Sequence, residues 1–522
     1  MTGTVERGGA DVIVVGAGAA GSALAARLSE DTGRTVLLLE AGPVPLHPKE
    51  FPPELLDARL VPGAQPGHAA VQPYAAHLTP ERPYTVVRGR YLGGSTTVNG
   101  GYFVRARRED FDRWSAAGNP AWAYDRVLPF LRRLETDLDH GVTALHGGSG
   151  PVRVRRVALD HPAAVAFGAA AKELGHPPDP DKNDQAAPGF GPTPCNVVDG
   201  LRLNSGLSYV SAALHRSNLT VVGDCPVLRV VIRNGRAIGV VVRRHGRSAV
   251  LRAGEVVLCA GAFITPQLLQ LSGVGPRTDL ERLGVPVVKD APAVGTRFSD
   301  HPQLVLEWNP RQELGAPTDS WLGGSLHLSS SDRSHPGGLE ILQSLVPMAG
   351  LVGGQVTVPG APLAFLVSDQ SPGSTGRMFL RSVDPATPPL IEYGYLAESH
   401  DRRRLREAVR ATAELIATAP FTEVSQGLLQ PGTDVLDDDR ALDEWIGRTI
   451  GTAHHTCGTA PMGPDHVGAA VDQYGRVHGV HALRVADTSI LPTAPLRGPA
   501  ATAVLIGEVI AQAMRSPTGP LP

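Results

Sequence analysis

The stretch DVIVVGAGAAGSALAARLSE at residues 11–30, followed by TVLLLEAG at residues 35–42, decides the fold of this chain. The apolar run VIVV is short, rich in β-branched residues and ends at a glycine, which is typical of a strand buried on both faces of a parallel sheet. A helical segment rich in alanine and a second apolar run, VLLL, follow it. The order strand, glycine turn, helix, strand predicts the βαβ unit of a Rossmann-type domain.

The turn of this unit, GAGAAG, has the spacing of a dinucleotide-binding loop. Gly16 allows a tight turn, Gly18 lets a pyrophosphate approach the backbone, and Gly21 lets the helix pack closely on the strand. The N–H groups of the first helical turn, at Ala19 and Ala20, then meet the phosphate charge.

A carboxylate stands where such a domain binds a ribose. Glu40 ends the second strand and is followed by Ala41. An acid in this place binds the hydroxyl groups of the adenosine ribose and repels a 2′-phosphate. The loop and the acid together predict a dinucleotide site, and they do not distinguish FAD from NAD.

Composition excludes several classes of protein. The chain has 522 residues, of which 42% are hydrophobic and 19% charged, and a formal net charge of −3, which argues against nucleic acid as the main ligand. No run reaches the roughly 18 apolar residues of a membrane span, and the N-terminus lacks a secretory pattern. We therefore expect a cytoplasmic protein with no transmembrane segment; peripheral membrane association through a partner stays open. The four cysteines form no CxxC pair, so neither a disulfide framework nor a metal site is predicted.

The rest of the chain predicts a second domain. Alternating apolar positions at 219–259 indicate further strands. Residues 301–395 favour a separate antiparallel sheet, residues 401–420 an amphipathic helix, and the Pro-rich segment 43–88 a surface excursion. The predicted fold class is α/β, a Rossmann-type nucleotide-binding domain with a second α+β domain built on an antiparallel sheet. The predicted ranges are residues 1–154, 216–300 and 451–522 for the nucleotide-binding domain, and 155–215 and 301–450 for the substrate domain.

A helix near the C-terminus begins without a cap. The stretch APLRGPAATAV at residues 494–504 carries no reactive side chain in its first turn. Gly498 and Pro499 stand where a helix usually takes Ser, Asp or Asn. The N–H groups of this turn are therefore free to meet another group.

Longer segments carry a resemblance to a known family. RGRYLGGSTTVNGGYFVRARREDFDRW at residues 88–114 and GAFITPQLLQLSGVGP at residues 261–276 resemble the two signatures of the glucose-methanol-choline (GMC) flavoprotein oxidoreductases. HTCGTAPMG at residues 455–463 and LRVADTSILP at residues 483–492 extend the likeness towards the C-terminus. The resemblance implies FAD rather than NAD, bound beneath a substrate domain built on an antiparallel sheet.

The resemblance also implies which residues lie against the flavin. In the family, the segment matching residues 93–100 runs past the pyrophosphate and the flavin ring, and the start of the last helix faces the edge of the ring that becomes negative on reduction. Some relatives attach the flavin through a histidine where Val98 stands, so we expect FAD to be bound non-covalently. For Asp487 a purely structural hydrogen bond is the alternative. Beyond the dinucleotide loop, the predicted cofactor-binding residues are Glu40, Ala41, Arg90, Gly93, Gly94, Ser95, Asn99, Gly100, Val227, Asp487, Pro499 and Ala500.

Alcohol oxidation needs a group that removes the hydroxyl proton while hydride leaves the carbon. A neutral imidazole suits this role. The family pattern H-x-x-G-T-x-x-M-G places the catalytic histidine at His455. His454 is the weaker candidate, because neighbouring side chains point apart in an extended segment. His301, His478 and His481 are expected to be structural.

Gly498 departs from the family pattern. Relatives usually carry Asn or His before the proline that starts the last helix, where the side chain binds the substrate hydroxyl beside the first histidine. Three explanations are open: a pocket enlarged for a bulky alcohol, a replacement contact from Arg497 or His454, or slow or lost alcohol oxidation.

The sequence therefore predicts an FAD-dependent alcohol dehydrogenase or oxidase with a small-molecule alcohol as substrate. The Arg-Gly-Pro turn and the missing Asn or His are similar to the family branch associated with the redox cofactor mycofactocin; a large natural-product alcohol is the other substrate class. The alternatives are a flavin-retaining lyase of the hydroxynitrile lyase type and a non-catalytic flavin-binding protein. The sequence leaves the electron acceptor open among oxygen, a quinone and a redox partner.

Overall fold

The computed structural model describes residues 9–333, 335–353 and 360–515 and arranges them around two seven-stranded sheets. Within these ranges no helix is both long and apolar enough to cross a bilayer. The α-helices are Ala19–Leu28, Pro53–Leu56, Ser95–Val98, Arg108–Ala116, Tyr124–Leu134, Pro162–Glu173, Gly261–Leu271, Arg277–Arg282, Met348–Gly353, Ser399–Ala417, Ala419–Thr422, Thr433–Asp437, Asp439–Thr449 and Ala500–Arg515.

The first sheet confirms the predicted Rossmann-type unit. The run VIVV is buried in a central strand that pairs in parallel with both of its neighbours. An antiparallel hairpin turning at Asn234 and Gly235 extends the sheet, as the apolar alternation indicated. The parallel strands lie in the order Leu219–Val222, Val36–Leu39, Ala10–Val15, Arg247–Leu258 and Leu483–Val485, and the hairpin strands are Arg236–Arg244 and Val227–Arg233.

The helix of the βαβ unit packs closely on the last helix of the fold, Ala500–Arg515, which we call the terminal helix. A Cβ atom added to Gly507 would lie 2.3 Å from the backbone oxygen of Ala20. A side chain at this position would therefore separate the helices. This contact fixes the dinucleotide loop relative to the terminal helix.

The second sheet confirms the predicted antiparallel sheet. The helix Ser399–Ala417, predicted as amphipathic, covers it together with Pro162–Glu173, and Phe167, Leu405 and Phe365 share one core. The strands lie in the order Ser425–Leu428, Pro302–Pro310, Leu363–Asp369, Leu339–Ser344, Leu322–Leu328 and Phe190–Pro192, with Gly451–Thr452 also paired to Pro302–Pro310.

A third sheet corrects the prediction of a surface excursion at 43–88. Val71–Thr79 and Arg82–Gly89 form a hairpin there, and its buried Tyr74, Ala76 and Leu78 alternate with more exposed residues. Alanine and histidine in this run hide the alternation in the sequence. The hairpin joins the strands Arg377–Phe379 and Leu390–Glu392. This sheet combines segments assigned to both domains, and the domain boundaries stay a prediction.

Strand pairing in the second sheet brings two distant histidines together. Pro302 pairs with Thr452, and the N–H of Ala453 donates to the backbone oxygen of His301 at 3.0 Å. His455 follows two residues later. The register of the short strand Gly451–Thr452 thus determines that His301 lies close to His455.

Candidate active site

The dinucleotide loop, residues 16–21, is shaped by glycines whose missing Cβ atoms leave room for backbone. Gly16 has a φ of 101°, and a Cβ there would lie 2.5 Å from the carbonyl oxygen of Cys259. A Cβ on Gly21 would lie 1.9 Å from the carbonyl oxygen of Gly16. Gly18 precedes the helix and provides no side-chain cap. The first-turn N–H groups are therefore left for an anion.

Glu40 lies against this loop. Its two carboxylate oxygens accept hydrogen bonds from the N–H groups of Ala17 and Gly42, each 2.9 Å long. Burial raises the pKa of the carboxyl group, and the two backbone donors oppose this shift. Each oxygen keeps a lone pair that can accept from a ribose hydroxyl. Next to it, the Ala41 carbonyl accepts from the Arg90 guanidinium at 3.2 Å.

A second glycine loop, residues 93–95, packs on the dinucleotide loop. Gly94 has φ 55° and ψ −134°, and a Cβ there would lie 2.7 Å from the Cα of Gly18. Ser95 accepts from the N–H of Gly89 at 3.1 Å. The structure therefore brings the two sets of predicted cofactor residues into direct contact, although about 70 positions separate them in the sequence.

The chain continues from this loop towards the second sheet. The side-chain oxygen of Asn99 accepts from the N–H of Gly101 at 3.1 Å, and the carbonyl of Gly100 accepts from the Trp321 indole at 3.0 Å. A Cβ on Gly100 would lie 2.6 Å from that ring. Val98 is buried. Gly100 therefore fixes the junction between the two sheets.

Two predicted cofactor residues have protein partners of their own. Val227 is partly buried at the start of a strand. One carboxylate oxygen of the buried Asp487 accepts from the N–H of Gly261 at 2.9 Å and the hydroxyl of Thr265 at 2.6 Å, and the other accepts from the N–H of Ser489 at 2.9 Å. This agrees with the structural alternative for the Asp487 side chain; its contact with a cofactor stays a prediction.

The terminal helix begins at Ala500, directly after Pro499. The N–H of Ala503 donates to the Pro499 carbonyl at 2.8 Å. The N–H groups that precede this bond in the first turn have no partner within the helix. The start of the helix therefore offers donors and the positive end of its dipole.

A buried carboxylate, Asp300, holds the candidate histidines in place. One of its oxygens accepts from the backbone N–H groups of His301 and His455, both at 2.7 Å. The other accepts from the Thr456 hydroxyl at 2.5 Å. Burial raises the pKa of Asp300, and the nearby Arg88 guanidinium opposes that shift.

The side chains of His455 and His301 meet through their Nδ1 atoms, which lie 2.9 Å apart with the rings at 82°. Burial lowers the pKa of His301 to about 3. It also holds the pKa of His455 well below 6.5, and the neighbouring His301 adds to that effect. Both imidazoles are therefore neutral near pH 7. His455 as a residue is half-buried, whereas His301 is fully buried.

The contact between these rings was missed in the sequence, where His301 was expected to be structural. The only feature of the sequence that pointed to His301 was its place after Asp300, directly before the strand Pro302–Pro310. The strand that pairs with it, Gly451–Thr452, has only two residues, and so short a strand leaves no recognisable pattern in the sequence. Without the pairing, nothing in the sequence placed His301 beside His455.

His454 points elsewhere, for a different reason from the one expected. Its φ of 62° is left-handed, so the segment is not extended at this residue. The ring lies 6.3 Å from that of Tyr84, and its carbonyl accepts from Arg88 at 3.0 Å. The rings of His454 and His455 have different neighbours, Tyr84 and His301. The expected reason, an extended segment, does not hold at His454, because its backbone is left-handed.

Gly498 lies directly beside the histidine pair. A Cβ added there would lie 3.2 Å from Cε1 of His455 and 3.1 Å from the ring of Tyr102. The Tyr102 hydroxyl donates to Glu340 at 2.8 Å. Arg497 is buried and donates to the backbone oxygen of Gly337 at 3.0 Å. Tyr102 and Glu340 are thus neighbours of the site that the sequence did not reveal.

A separate buried cluster has the composition of a metal site. Ligand atoms of Glu135, Asp137 and His146 lie within 4.8 Å of one another. The ring of His146 also contacts Asp181 at 2.7 Å. Burial lowers the pKa of His146, but the surrounding carboxylates outweigh it and raise the pKa to about 10. A protonated imidazole donates through both nitrogens and does not bind metal.

Two arginines complete this cluster. Arg105 lies 2.6 Å from Glu135, and Arg156 lies 2.6 Å from Asp181. Three carboxylates therefore face three cations. This charge balance favours an ion-pair network over a metal site.

Comparison with known proteins identifies relatives along most of the chain. Sequence profiles described as GMC oxidoreductase match residues 10–303 and 372–507. The chain is 40% identical to an uncharacterized GMC-type oxidoreductase in the thcA 5′ region of Rhodococcus erythropolis, covering 96% of this chain and 97% of that protein. It is 34% identical to the oxygen-dependent choline dehydrogenase of Rhizobium rhizogenes, covering 96% and 94%. The crystal structure of pyridoxine 4-oxidase from Mesorbium loti superimposes with a TM-score of 0.90 at 28% identity, covering 97% of this chain and 99% of that one.

Proposed function

The chain belongs to the GMC oxidoreductase family and is an FAD-dependent oxidoreductase, and from this premise we propose that it oxidises the CH–OH group of an alcohol to a carbonyl with His455 as general base. The observation that supports the proposal most strongly is the position of His455. Its neutral ring adjoins Gly498, one residue before Pro499 and the terminal helix. The first N–H groups of that helix have no acceptor within the helix.

The residues of the site fit an FAD molecule. Backbone atoms of the two glycine loops lie against each other with no side chain between them, and the helix Ala19–Leu28 begins without a side-chain cap. The terminal helix follows Pro499, which has no side chain that can cap it. We propose that the dinucleotide loop binds the pyrophosphate, Glu40 the ribose, and the terminal helix the electron-rich edge of the ring. With Val98 at the position of covalent attachment in some relatives, we expect non-covalent binding.

The chemistry assigned to this chain is proton removal. The Nε2 atom of His455 accepts the hydroxyl proton and becomes the N–H of an imidazolium, and the carbinol carbon loses a hydride. FAD, when bound, supplies the two-electron acceptor for that hydride. General-base assistance of this kind contributes about 10²- to 10⁴-fold to the rate.

The missing side chain at Gly498 supports the proposal that the substrate is a bulky or specialised alcohol. Arg497 donates to the backbone oxygen of Gly337. The ring of His454 lies 6.3 Å from that of Tyr84, and its buried Nδ1 has no hydrogen-bond partner among the described residues. Of the three explanations we propose the pocket enlarged for a bulky alcohol, because glycine is the smallest residue that can stand beside His455 and Tyr102. The substrate classes that we propose are a mycofactocin-type alcohol and a large natural-product alcohol.

The test is anaerobic mixing of the FAD-loaded protein with a panel of alcohols and, separately, with cyanohydrins. We expect an alcohol to bleach the absorption band of the oxidised flavin. A lyase would cleave the cyanohydrin and leave the band unchanged. Cyanohydrin cleavage without bleaching by any alcohol would contradict the proposal and favour the lyase alternative.

Replacing Gly498 with asparagine is expected to shift selectivity towards small alcohols. The new amide can bind the substrate hydroxyl, which is worth roughly 1.5–3 kcal/mol when the partner is charged, or about 10- to 100-fold in rate. Its Cβ lies 3.1 Å from Tyr102, so the same side chain narrows the pocket for large alcohols. The measurement is the ratio of flavin reduction rates for a small and a bulky alcohol.

The matched control is Gly498→Ala, which adds the Cβ without the amide. We expect it to lower the rate with bulky alcohols and to give no gain with small ones. If the asparagine and alanine variants behave alike, the account of a missing hydrogen bond is wrong.

A further inference from the structure

The Nδ1–Nδ1 contact of 2.9 Å between His455 and His301 poses a protonation problem. Both rings are neutral, and a neutral imidazole carries one proton on one of its two nitrogens. One Nδ1 must therefore donate and the other must accept. If His455 accepts at Nδ1, its Nε2 carries a proton and cannot act as a base; if His455 donates there, its Nε2 is free.

The other side of the His301 ring decides between these arrangements. The Nε2 atom of His301 is buried and meets no partner with standard hydrogen-bond geometry in the described part of the chain. The backbone of Pro495 acts on this ring as a hydrogen-bond acceptor and raises its pKa, against the larger lowering by burial. Proline offers only a carbonyl. A proton on Nε2 of His301 is attracted to this oxygen, whereas a lone pair there would be repelled.

We propose that His301 is a positioning residue that fixes the tautomer of His455. The Nε2–H of His301 points to the Pro495 carbonyl, so its Nδ1 accepts from the Nδ1–H of His455, and the Nε2 of His455 is left with its lone pair. This inference rests on the proposed function, because the proton of His455 must be on Nδ1 only if its Nε2 acts as the base.

The backbone geometry keeps this pair in register. One oxygen of the Asp300 carboxylate accepts from the backbone N–H groups of both histidines at 2.7 Å, so the two backbone segments that carry the rings are held together by buried hydrogen bonds. When His455 takes up the substrate proton, its Nδ1–H still donates to Nδ1 of His301, so the geometry of the pair is kept during the step.

The first test uses His301→Ala and His301→Asn in the FAD-loaded, full-length protein. In asparagine the side-chain oxygen takes the place of Nδ1 and accepts from His455. We expect His301→Ala to lower the limiting rate of flavin reduction by at least about 10-fold, with little change in the alcohol concentration at half-saturation, and His301→Asn to recover most of the rate. Flavin content and melting temperature, measured alongside, show whether each variant folds.

A pH profile of the same variants separates positioning from structural damage. His301 lowers the pKa of His455, so its removal is expected to raise that pKa and to make the alanine variant's rate fall as the pH drops towards 6.5, where the wild-type rate stays flat. The charged and titratable groups around the pair stay constant in this comparison; they are Arg88, Asp300, His454 and Arg497. Equal rates in all three proteins, or an alanine defect that follows melting temperature and is not rescued by asparagine, would overturn the proposal.

The second test does not depend on turnover. Nitrogen NMR of the FAD-loaded protein with ¹⁵N-labelled histidine reports which ring nitrogen carries the proton, and the spectrum of His455→Ala identifies the His455 signals. We expect Nδ1 of His455 to be protonated and Nε2 to be bare. A proton on Nε2 would overturn the inference even if alcohols reduce the flavin, and the expected tautomer would stand even if they do not.

Discussion

Replacing His455 with alanine is expected to slow reduction of the bound flavin by alcohol about 10²- to 10⁴-fold, because the hydroxyl proton then has no acceptor. Flavin content is expected to stay near that of the wild type, since the predicted cofactor-binding residues lie on other segments. Stopped-flow mixing under anaerobic conditions measures the effect. The comparison variant is His454→Asn, since asparagine tolerates the left-handed backbone at that residue.

We expect His454→Asn to change the rate by less than about 10-fold, because the ring lies towards Tyr84. A larger loss there than in His455→Ala would transfer the role of base to the other histidine. The pH dependence gives a second check. The pKa of His455 lies well below 6.5, so its base form is already complete near pH 7, and the wild-type rate is expected to stay flat as the pH rises further.

Replacing Gly94 with alanine is expected to weaken FAD binding by about 5- to 100-fold. A non-glycine residue at φ 55° and ψ −134° is strained, and the new Cβ would lie 2.7 Å from the Cα of Gly18. Strain and overpacking of roughly 1–3 kcal/mol force the two glycine loops apart, and each 1.4 kcal/mol is a factor of ten in affinity. The measurements are the flavin-to-protein ratio after purification and the dissociation constant on adding FAD.

Gly235→Ala is the matched control for this variant. Its φ of 71° is also left-handed, but a Cβ there meets open space in the hairpin turn. We expect a loss of about 1 kcal/mol in the free energy of unfolding and an unchanged flavin content. If Gly94→Ala retains its flavin, or if both variants lose it equally, the role assigned to the second glycine loop is wrong.

The sequence predicted the parts of the fold that local pattern determines. The spacing of Gly16, Gly18 and Gly21 after an apolar strand identified the βαβ unit, and the periodicity of Ser399–Ala417 identified its helix. The hairpin at residues 71–89 was missed because its buried positions include alanine and its strand contains Pro73.

The composition of the site depended on long-range pairing, which local pattern does not reveal. His301 meets His455 only because a strand of two residues pairs with Pro302–Pro310. Tyr102 adjoins Gly498 because the terminal segment passes over a distant loop. The resemblance to the family gave the position of the base, and the structure supplied its neighbours.

The central claim is that this chain removes a proton from an alcohol hydroxyl while the carbinol carbon loses hydride. Its most direct test is stopped-flow reduction of the bound flavin by the alcohol in the panel that reduces it fastest, compared with the same alcohol deuterated at the carbinol carbon. The account predicts bleaching with both, distinctly slower with the deuterated compound, and slow with both in His455→Ala. Equal rates for the two compounds and an undiminished rate in His455→Ala would contradict it.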